Sequence, residues 1–585
     1  MWKRFLSGAI GAALLALSAA SAAPAHKAPG PTVIRNVTIF DATGSDPFIA
    51  DVEIRDGRFS AIGKNLPARR GTTIIKAKGL SLLPGLTDVH VHWTGMGGIS
   101  RADTATLLLQ SGVTTATDFH SAPESFGPKR LWHEQLTSPH VVFTARTATP
   151  GGHGADWGDE NMTRLATTPR EGKSIVGALA PYKPEVIKVF ADGWRYGSGI
   201  NNASINVDAL AAIVEEARSL GLPVVTHTVT VDGAKTAAEA GVTAIVHAIQ
   251  DRKLDDELIS LMQTSNVFYA PTLAVYEPRP DKTANNTEAQ MLPVMRRQEA
   301  SRHNLQRIVD AGIPIALGTD SGIGATPFGE STLRELELLV DFGLSPKQAL
   351  MAGTANSARV LDLGDDRGTI EPGKRADFVL VRGKPWDEIS DYRHIDSVFV
   401  DGRQVIKGGA LTQPQRPGIP AAVAANPVID DFEQAGNLTA GGAARTADVD
   451  NGFPRSVLIA QTVPRFEGGQ ALQLSAGLSD KEFPKALVVL PLSPGSFVPS
   501  DATRFEGLVF EARGDGGPYR VEIVSQSGVV SDTFSAGSEW QAMKVPFRAI
   551  EGEEFSPGAL YAVKFGANRT GGETFWLEID NVRFY

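Results

Sequence analysis

Two histidines close the stretch Leu82-Leu83-Pro84-Gly85-Leu86-Thr87-Asp88-Val89-His90-Val91-His92. An apolar run enters a Pro-Gly turn and leaves as a short strand. Side chains two apart on a strand share a face, so His90 and His92 aim two imidazoles at one point. Neutral imidazole is the commonest protein ligand for zinc and its neighbours. Other strand-like segments end in a comparable way. Val224-Val225-Thr226-His227 and Ala244-Ile245-Val246-His247 each close on a histidine, and Leu317-Gly318-Thr319-Asp320 closes on a carboxylate. Each of these alone has an ordinary explanation, a hydrogen-bonded core histidine or an aspartate in a turn. Their joint occurrence on one set of strand ends points to metal chemistry.

Lys188 is the odd member. Glu185-Val186-Ile187-Lys188-Val189-Phe190-Ala191 places it in the middle of an apolar strand. A lysine in a strand commonly lies on a solvated edge, but a buried ammonium is costly unless its pKa falls. A neutral lysine amine can take up carbon dioxide to give a carbamate. That anion has two oxygens, can bridge two metal ions, and is stabilised by them in turn. A lysine then has a reason to stand among cation ligands.

The elements that must position these groups alternate. Candidate strands are Gly85–His92, Val113–Phe119, Val141–Thr147, Val186–Ala191, Val224–His227, Ala244–His247, Val267–Thr272 and Ile315–Asp320. Helical stretches such as Val207–Leu220 and Asp232–Ala240 separate most of them. Nearly all-apolar strands suit a parallel sheet covered on both faces. Eight such units predict an α/β fold, a (β/α)8 TIM barrel over 81–363, with its site at the C-terminal strand ends. Short strands with Asp-Gly turns at 31–80 and 364–410 predict one small β-sandwich built from both flanks. Residues 411–427 are rich in Pro, Gly and Ala and read as a linker. Residues 428–585 lack a helical period and carry successive strand-like runs, which predicts an all-β sandwich.

The chain has 585 residues, a formal net charge of −10 and no cysteine. Its length calls for two or three domains. The acidic balance, with no basic block, excludes nucleic acid as a partner. Lys3 and Arg4, the apolar run from Phe5 to Leu17 and Ala20-Ser21-Ala22 read as a signal peptide over 1–22. This predicts an exported protein of the periplasm or extracellular space, with no transmembrane span. The absence of cysteine excludes a disulfide scaffold.

With these residues in order, residues 31–410 resemble the amidohydrolase superfamily in its binuclear, carboxylated-lysine form. Pro84 to His92, Ile187-Lys188-Val189, His227, His247 and Leu317-Gly318-Thr319-Asp320 carry the resemblance, and Gly368 to Leu380 is similar to the family's return into its sandwich. Thr149-Pro150-Gly151-Gly152-His153-Gly154 brings it nearest the imidazolonepropionase and Xaa-Pro dipeptidase group. Asp192-Gly193-Trp194-Arg195-Tyr196-Gly197 departs from the Gly-rich segment often found there. The resemblance implies that His90, His92 and Asp320 hold one metal and His227 and His247 the other, with carboxylated Lys188 bridging. It implies two divalent ions, zinc or else manganese, iron or cobalt, and Asp320 as the proton carrier.

His153 reads either as a substrate or oxyanion contact or as a loop histidine fixing its own turn. Arg195 and Tyr196 read either as a binding pair for a substrate carboxylate or as a surface loop. Tyr276 and His120 are weaker candidates for the site's surroundings. The ends of the C-terminal region, Val428 to Glu433 and Leu577 to Tyr585, resemble the jelly rolls of the complex I intermediate-associated protein family and of family-11 carbohydrate-binding modules. Trp540, Trp576 and Tyr519 there either stack on a sugar or fill the core. The expected function is hydrolysis of a C–N bond in an amide, a dipeptide, an N-acyl amino acid or a cyclic amide. Expected partners are that small-molecule substrate, a carbohydrate through the C-terminal region, and copies of the chain as a homo-oligomer. The rival is a binding protein that has lost catalysis, or one in which the C-terminal sandwich is the main module.

Overall fold

A computed structural model describes residues 30–94, 98–157, 162–434, 436–549 and 555–585. The signal peptide read over 1–22 lies outside the described residues. Seven parallel strands form one curled sheet in chain order: β1 Leu86–Asp88, β2 Val113–Asp118, β3 His140–Ala148, β4 Val186–Phe190, β5 Val224–His227, β6 Ala244–Val246 and β7 Phe268–Ala270. Every residue of β2, β4, β5 and β6 is buried, as strands covered on both faces require. The intervening helices begin where a side chain can satisfy a free N–H. Ser100, Thr168, Asn206, Thr230 and Asp255 each accept a bond from the third residue on.

The expected eighth strand, Ile315–Asp320, is not a regular ladder. Tyr269 N–H donates to Pro314 O at 3.0 Å and Ala316 N–H to Tyr269 O at 2.9 Å on one side. On the other, Val89 N–H donates to Leu317 O at 3.0 Å and Asp320 N–H to His90 O at 2.8 Å. The segment thus joins β7 to β1 and gives a TIM-like barrel. Two features break its regularity. A Cβ at Gly318 would stand 3.0 Å from His90 Cβ, so the chains approach too closely for a side chain. Asp320 has φ +59°, the left-handed region.

The two flanks pair into one continuous nine-stranded sheet rather than two separate layers. Leu80–Pro84 and Phe378–Arg382 run antiparallel and are its seam. That sheet has its own core, including Ile34, Val52, Phe59, Phe378 and Phe399. The C-terminal region is two sheets around one apolar core. Tyr519 belongs to that core, 1% exposed, with its Oη donating to Trp576 O at 2.6 Å, so it is not a sugar platform. Among the described residues no helix is long and apolar enough to cross a membrane.

Candidate metal centre

Five of the six candidate ligands stand at or beside the C-terminal ends of barrel segments, and the sixth, Lys188, stands within one. His90 and His92 continue the line of β1, where Val91 is bridged to Ser321. Lys188 is the middle residue of β4, His227 the last of β5, and His247 the first after β6. The Nε2 atoms of His90 and His92 are 3.3 Å apart. Asp320 Oδ1 lies 3.2 Å from the first and 3.1 Å from the second. Three donor atoms on one point suit a divalent cation. The rings continue as a chain: His90 to His247 at 4.8 Å, His247 to His227 at 4.4 Å, and His227 to His153 at 4.5 Å between centroids.

The electrostatics favour neutral imidazoles around an ionised carboxylate. Burial pulls His90 down to about 3, and neighbouring Lys188 adds to the fall. Burial also holds His227 and His247 well below the usual histidine range. For Asp320 burial acts upward, but bonds from His90 and His92 outweigh it and keep the carboxyl ionised. His247 Nδ1 lies within hydrogen-bond distance of Thr272 Oγ1, at 2.9 Å; the tautomer in which Nδ1 donates there leaves Nε2 with its lone pair. His247 (φ +87°), Thr272 (φ +46°) and Asp320 all lie in the left-handed region. Strain of this kind on non-glycine residues clusters at functional sites.

Lys188 is 1% exposed, and its Nζ has no hydrogen-bond partner among the described residues. The amine lies 5.2 Å from the Phe119 ring centre and 5.7 Å from that of Phe190. Burial pulls it down to about 7, against the pull of Asp320 and with the help of Arg146. A buried amine near neutrality, orphaned beside five potential ligands, fits a group that is completed by another species. Arg146 stands opposite Lys188 in the β3–β4 register, and its guanidinium lies 4.8 Å over the Trp157 ring.

The other predicted contacts divide. His153 is brought to the ligands and packs edge-on against Phe190 at 5.2 Å and Trp157 at 5.4 Å. Tyr196 Oη lies 3.4 Å from Tyr276 Oη, and Tyr276 packs edge-on to His247 at 6.1 Å. Arg195 is exposed on the loop after β4, outside the buried cluster. His120 is half-buried, with its ring 5.8 Å from that of His92. Sequence reading passed over Thr272, Trp157 and Arg146. Arg146 carried the same signal as Lys188, a cation inside an apolar strand. Trp157 and Thr272 carried none, since only the fold brings them in.

At the opposite end of β3, His140 Nε2 lies 3.2 Å from Asp377 Oδ2 and 3.7 Å from Asp401 Oδ1. Arg375 Nη1 is 2.5 Å from Asp401 and Arg367 Nη1 is 3.9 Å from Asp377. Guanidinium groups already balance those carboxylates, so this cluster is an ion-pair network.

Residues 81–405 match the model of the amidohydrolase family. An imidazolonepropionase of Caldanaerobacter subterraneus subsp. tengcongensis is 26% identical over 374 residues, 57% of this chain and 83% of that protein. One of Deinococcus deserti is 25% identical over 394 residues, 62% of this chain and 92% of that protein. Among solved structures, a putative prolidase from Bifidobacterium longum superposes with a TM-score of 0.57 and 26% identity, over 65% of this chain and 95% of that one. A Xaa-Pro dipeptidase with bound methionine, at TM-score 0.56 and 23% identity, covers 65% of this chain and 100% of its own and is similar in fold.

Proposed function

This chain belongs to the amidohydrolase family, and from that premise we propose that it is a binuclear hydrolase of small amides, acting on a dipeptide or N-acyl amino acid. That it is a metal-dependent hydrolase acting on carbon–nitrogen bonds follows from the family and its imidazolonepropionase and prolidase-like neighbours. The observation that carries the finer reading is the convergence of His90, His92 and Asp320 beside an orphaned, buried Lys188. In this reading His90, His92 and Asp320 would hold one ion, His227 and His247 the other, and Lys188, once carboxylated, would supply the shared anionic ligand. Zinc fits the donor set; manganese, iron or cobalt would also be accepted. When bound, such a pair supplies a nucleophile at neutral pH and polarises the scissile carbonyl.

The chain's own residues do the rest. Asp320, whose carboxyl is ionised in the site, takes the proton of the attacking water and delivers it to the leaving amine. Thr272 fixes the tautomer of His247. His153 stands where it can donate to the carbonyl oxygen. Trp157, Phe190 and Tyr276 pack against the candidate ligands, with Tyr196 beside Tyr276, which favours a substrate with an apolar or cyclic side chain. Arg195 at the rim meets a free carboxylate.

A second reading, opening of a cyclic amide, is favoured by the names of the sequence relatives. One hydrolysis screen of the metal-loaded protein separates the two, set over Xaa-Pro and other dipeptides, N-acyl amino acids, lactams and lactones. Turnover of dipeptides but not lactams supports the first; the reverse supports the second. Loss of activity on chelation with recovery on adding two equivalents of metal is expected for both. We also propose export, from the composition of residues 1–22; amino-terminal sequencing of the native protein beginning at Ala23 would support it, and an intact Met1 end would refute it.

A further inference from the structure

The C-terminal β region does not hang free of the barrel. It and its linker touch the loops after β1, β2 and β3. The linker passes so near Ser100, which begins the helix after β1, that a Cβ at Gly418 would stand 2.4 Å from that serine's Cβ. Gln415 Nε2 donates to Thr137 O at 2.8 Å and its Oε1 accepts from Thr137 N–H at 3.0 Å. The turn 493–497 meets the loop after β2, where a Cβ at Gly495 would stand 2.4 Å from Ser125 Cβ. From that turn Phe497 packs on the buried cluster of Ala102, Trp132 and Leu136. The contacts at Ser100 and Ser125 lie on the face of the barrel that carries the candidate ligands.

The decisive contacts are with the loop after β3. Arg455 Nη1 donates to Ala155 O at 2.7 Å, and Gly452 N–H donates to Asp156 O at 2.9 Å. Ala155 and Asp156 are flanked by the two rings that reach the metal ligands, His153 and Trp157. The loop is held from within as well. Asp156 accepts from Gly154 N–H at 3.1 Å and from Asn202 Nδ2 at 2.9 Å. Both side-chain oxygens and the backbone carbonyl of Asp156 are thus engaged, the carbonyl by the C-terminal region. A loop with three glycines in Gly151-Gly152-His153-Gly154 has little stiffness of its own.

We propose that the C-terminal β region is a working part of the active-site rim. Arg455 and Gly452 fix the backbone of the loop after β3 and so hold His153 and Trp157 against the ligand cluster. Arg455 is a positioning residue in this account and touches no substrate. The kinetic side rests on the function proposed above, but the positioning itself does not, so the two fail separately.

The test uses the full chain. Arg455→Met keeps the aliphatic stem and removes the donors; Arg455→Lys returns one donor. Hydrogen exchange is followed by mass spectrometry on peptides covering 149–157, with β4 to β6 and the C-terminal strands as internal references. Loss of one such bond is worth about a fivefold change in local opening. R455M is expected to exchange several-fold faster at 149–157 with the references unchanged, and R455K to recover part of the protection. Metal content should stay at the wild-type value. Unchanged exchange at 149–157 in R455M overturns the proposal, as does equal acceleration of every reference peptide, which would mean a general loss of structure. With a substrate in hand, kcat/KM of R455M should fall severalfold in the wild-type background and hardly at all in His153→Ala. An undiminished loss in the His153→Ala background would show that Arg455 does not act through that histidine's loop.

Discussion

Thr272 offers the sharpest quantitative test of the candidate centre. Its hydroxyl lies 2.9 Å from His247 Nδ1, as the acceptor when His247 offers Nε2 to a metal, inside a site where His247 is 3% exposed and Thr272 is fully buried. Thr272→Val keeps the volume and the branched Cβ, and so keeps the strained φ of +46° while removing only the acceptor. A buried imidazole N–H left unpartnered costs about 1–3 kcal/mol. Removing the group that orients a metal-bound histidine typically lowers affinity about 10- to 100-fold, which is about 1.4–2.8 kcal/mol. The two routes overlap, so Thr272→Val should weaken the ion held by His247 by about one to two orders of magnitude. His90 and His92 provide no such handle, since Nδ1 of each is buried without a partner among the described residues. The assay is competition for metal with a chelator of known affinity, reading one ion against the other. Thr272→Ser, which retains a hydroxyl, should stay near wild type. A Thr272→Val protein within about threefold of wild type, or a Thr272→Ser protein as weak as Thr272→Val, would refute the assigned role.

Three further outcomes are expected. Asp320→Asn should cut turnover far more than it raises KM, because its assigned task is proton transfer; full turnover with both ions retained would remove that task. Lys188→Ala should empty or scramble the binuclear site, and added bicarbonate or a small carboxylic acid should restore part of the activity; retention of two ions would remove the carbamate. Glu335 is fully buried where it accepts from Leu273 and Ala274 N–H, and burial pushes it from 4.5 to about 8. A carboxyl that keeps its proton longer when folded makes the fold lose stability as pH rises from about 4.5 to about 8. Glu335→Gln should flatten that decline in the barrel's thermal midpoint, and an unchanged slope between about pH 5 and pH 8 would contradict the buried, protonated state.

The convergence of the candidate ligands was legible in the sequence for a geometric reason. In a barrel of parallel strands the direction of the backbone alone sends each strand's last residues to one mouth. His90, His92, His227 and His247 needed no knowledge of loop shape, only of where an apolar run stops. Lys188 was legible because a charge inside Val186-Ile187-Lys188-Val189-Phe190 conflicts with its surroundings, and Arg146 would have been found by the same test. The eighth strand was read at the right place but as too regular an element. Gly318 and the positive φ at Asp320 serve the approach to His90, and that demand overrides the ladder. The flanking strands were placed correctly, while their fusion into one sheet depends on pairing Leu80–Pro84 with Phe378–Arg382, a contact about three hundred residues long-range that no local pattern encodes.

The groups that escaped the sequence are those whose position is set by something other than their own strand. Thr272 reaches His247 because Leu273 and Ala274, the next two residues, are capped by Glu335 from a helix more than sixty residues away. His153 was seen as a loop histidine with two meanings, and its place against His227 depends on contacts to Asn202 and to the C-terminal region. Arg195 was weighed as a carboxylate anchor, and the structure leaves it exposed at the rim, while Tyr196 beside it is tied to Tyr276. The division follows from how the two parts are held. The ligand set hangs on hydrogen-bonded strands of the barrel, which tolerate little displacement. The rings and loops around it are fixed by side-chain bonds between distant segments, including those of the appended β region. Substitutions at the ligands should therefore change metal content, whereas substitutions at Arg455 should change the order of the loop around an intact centre.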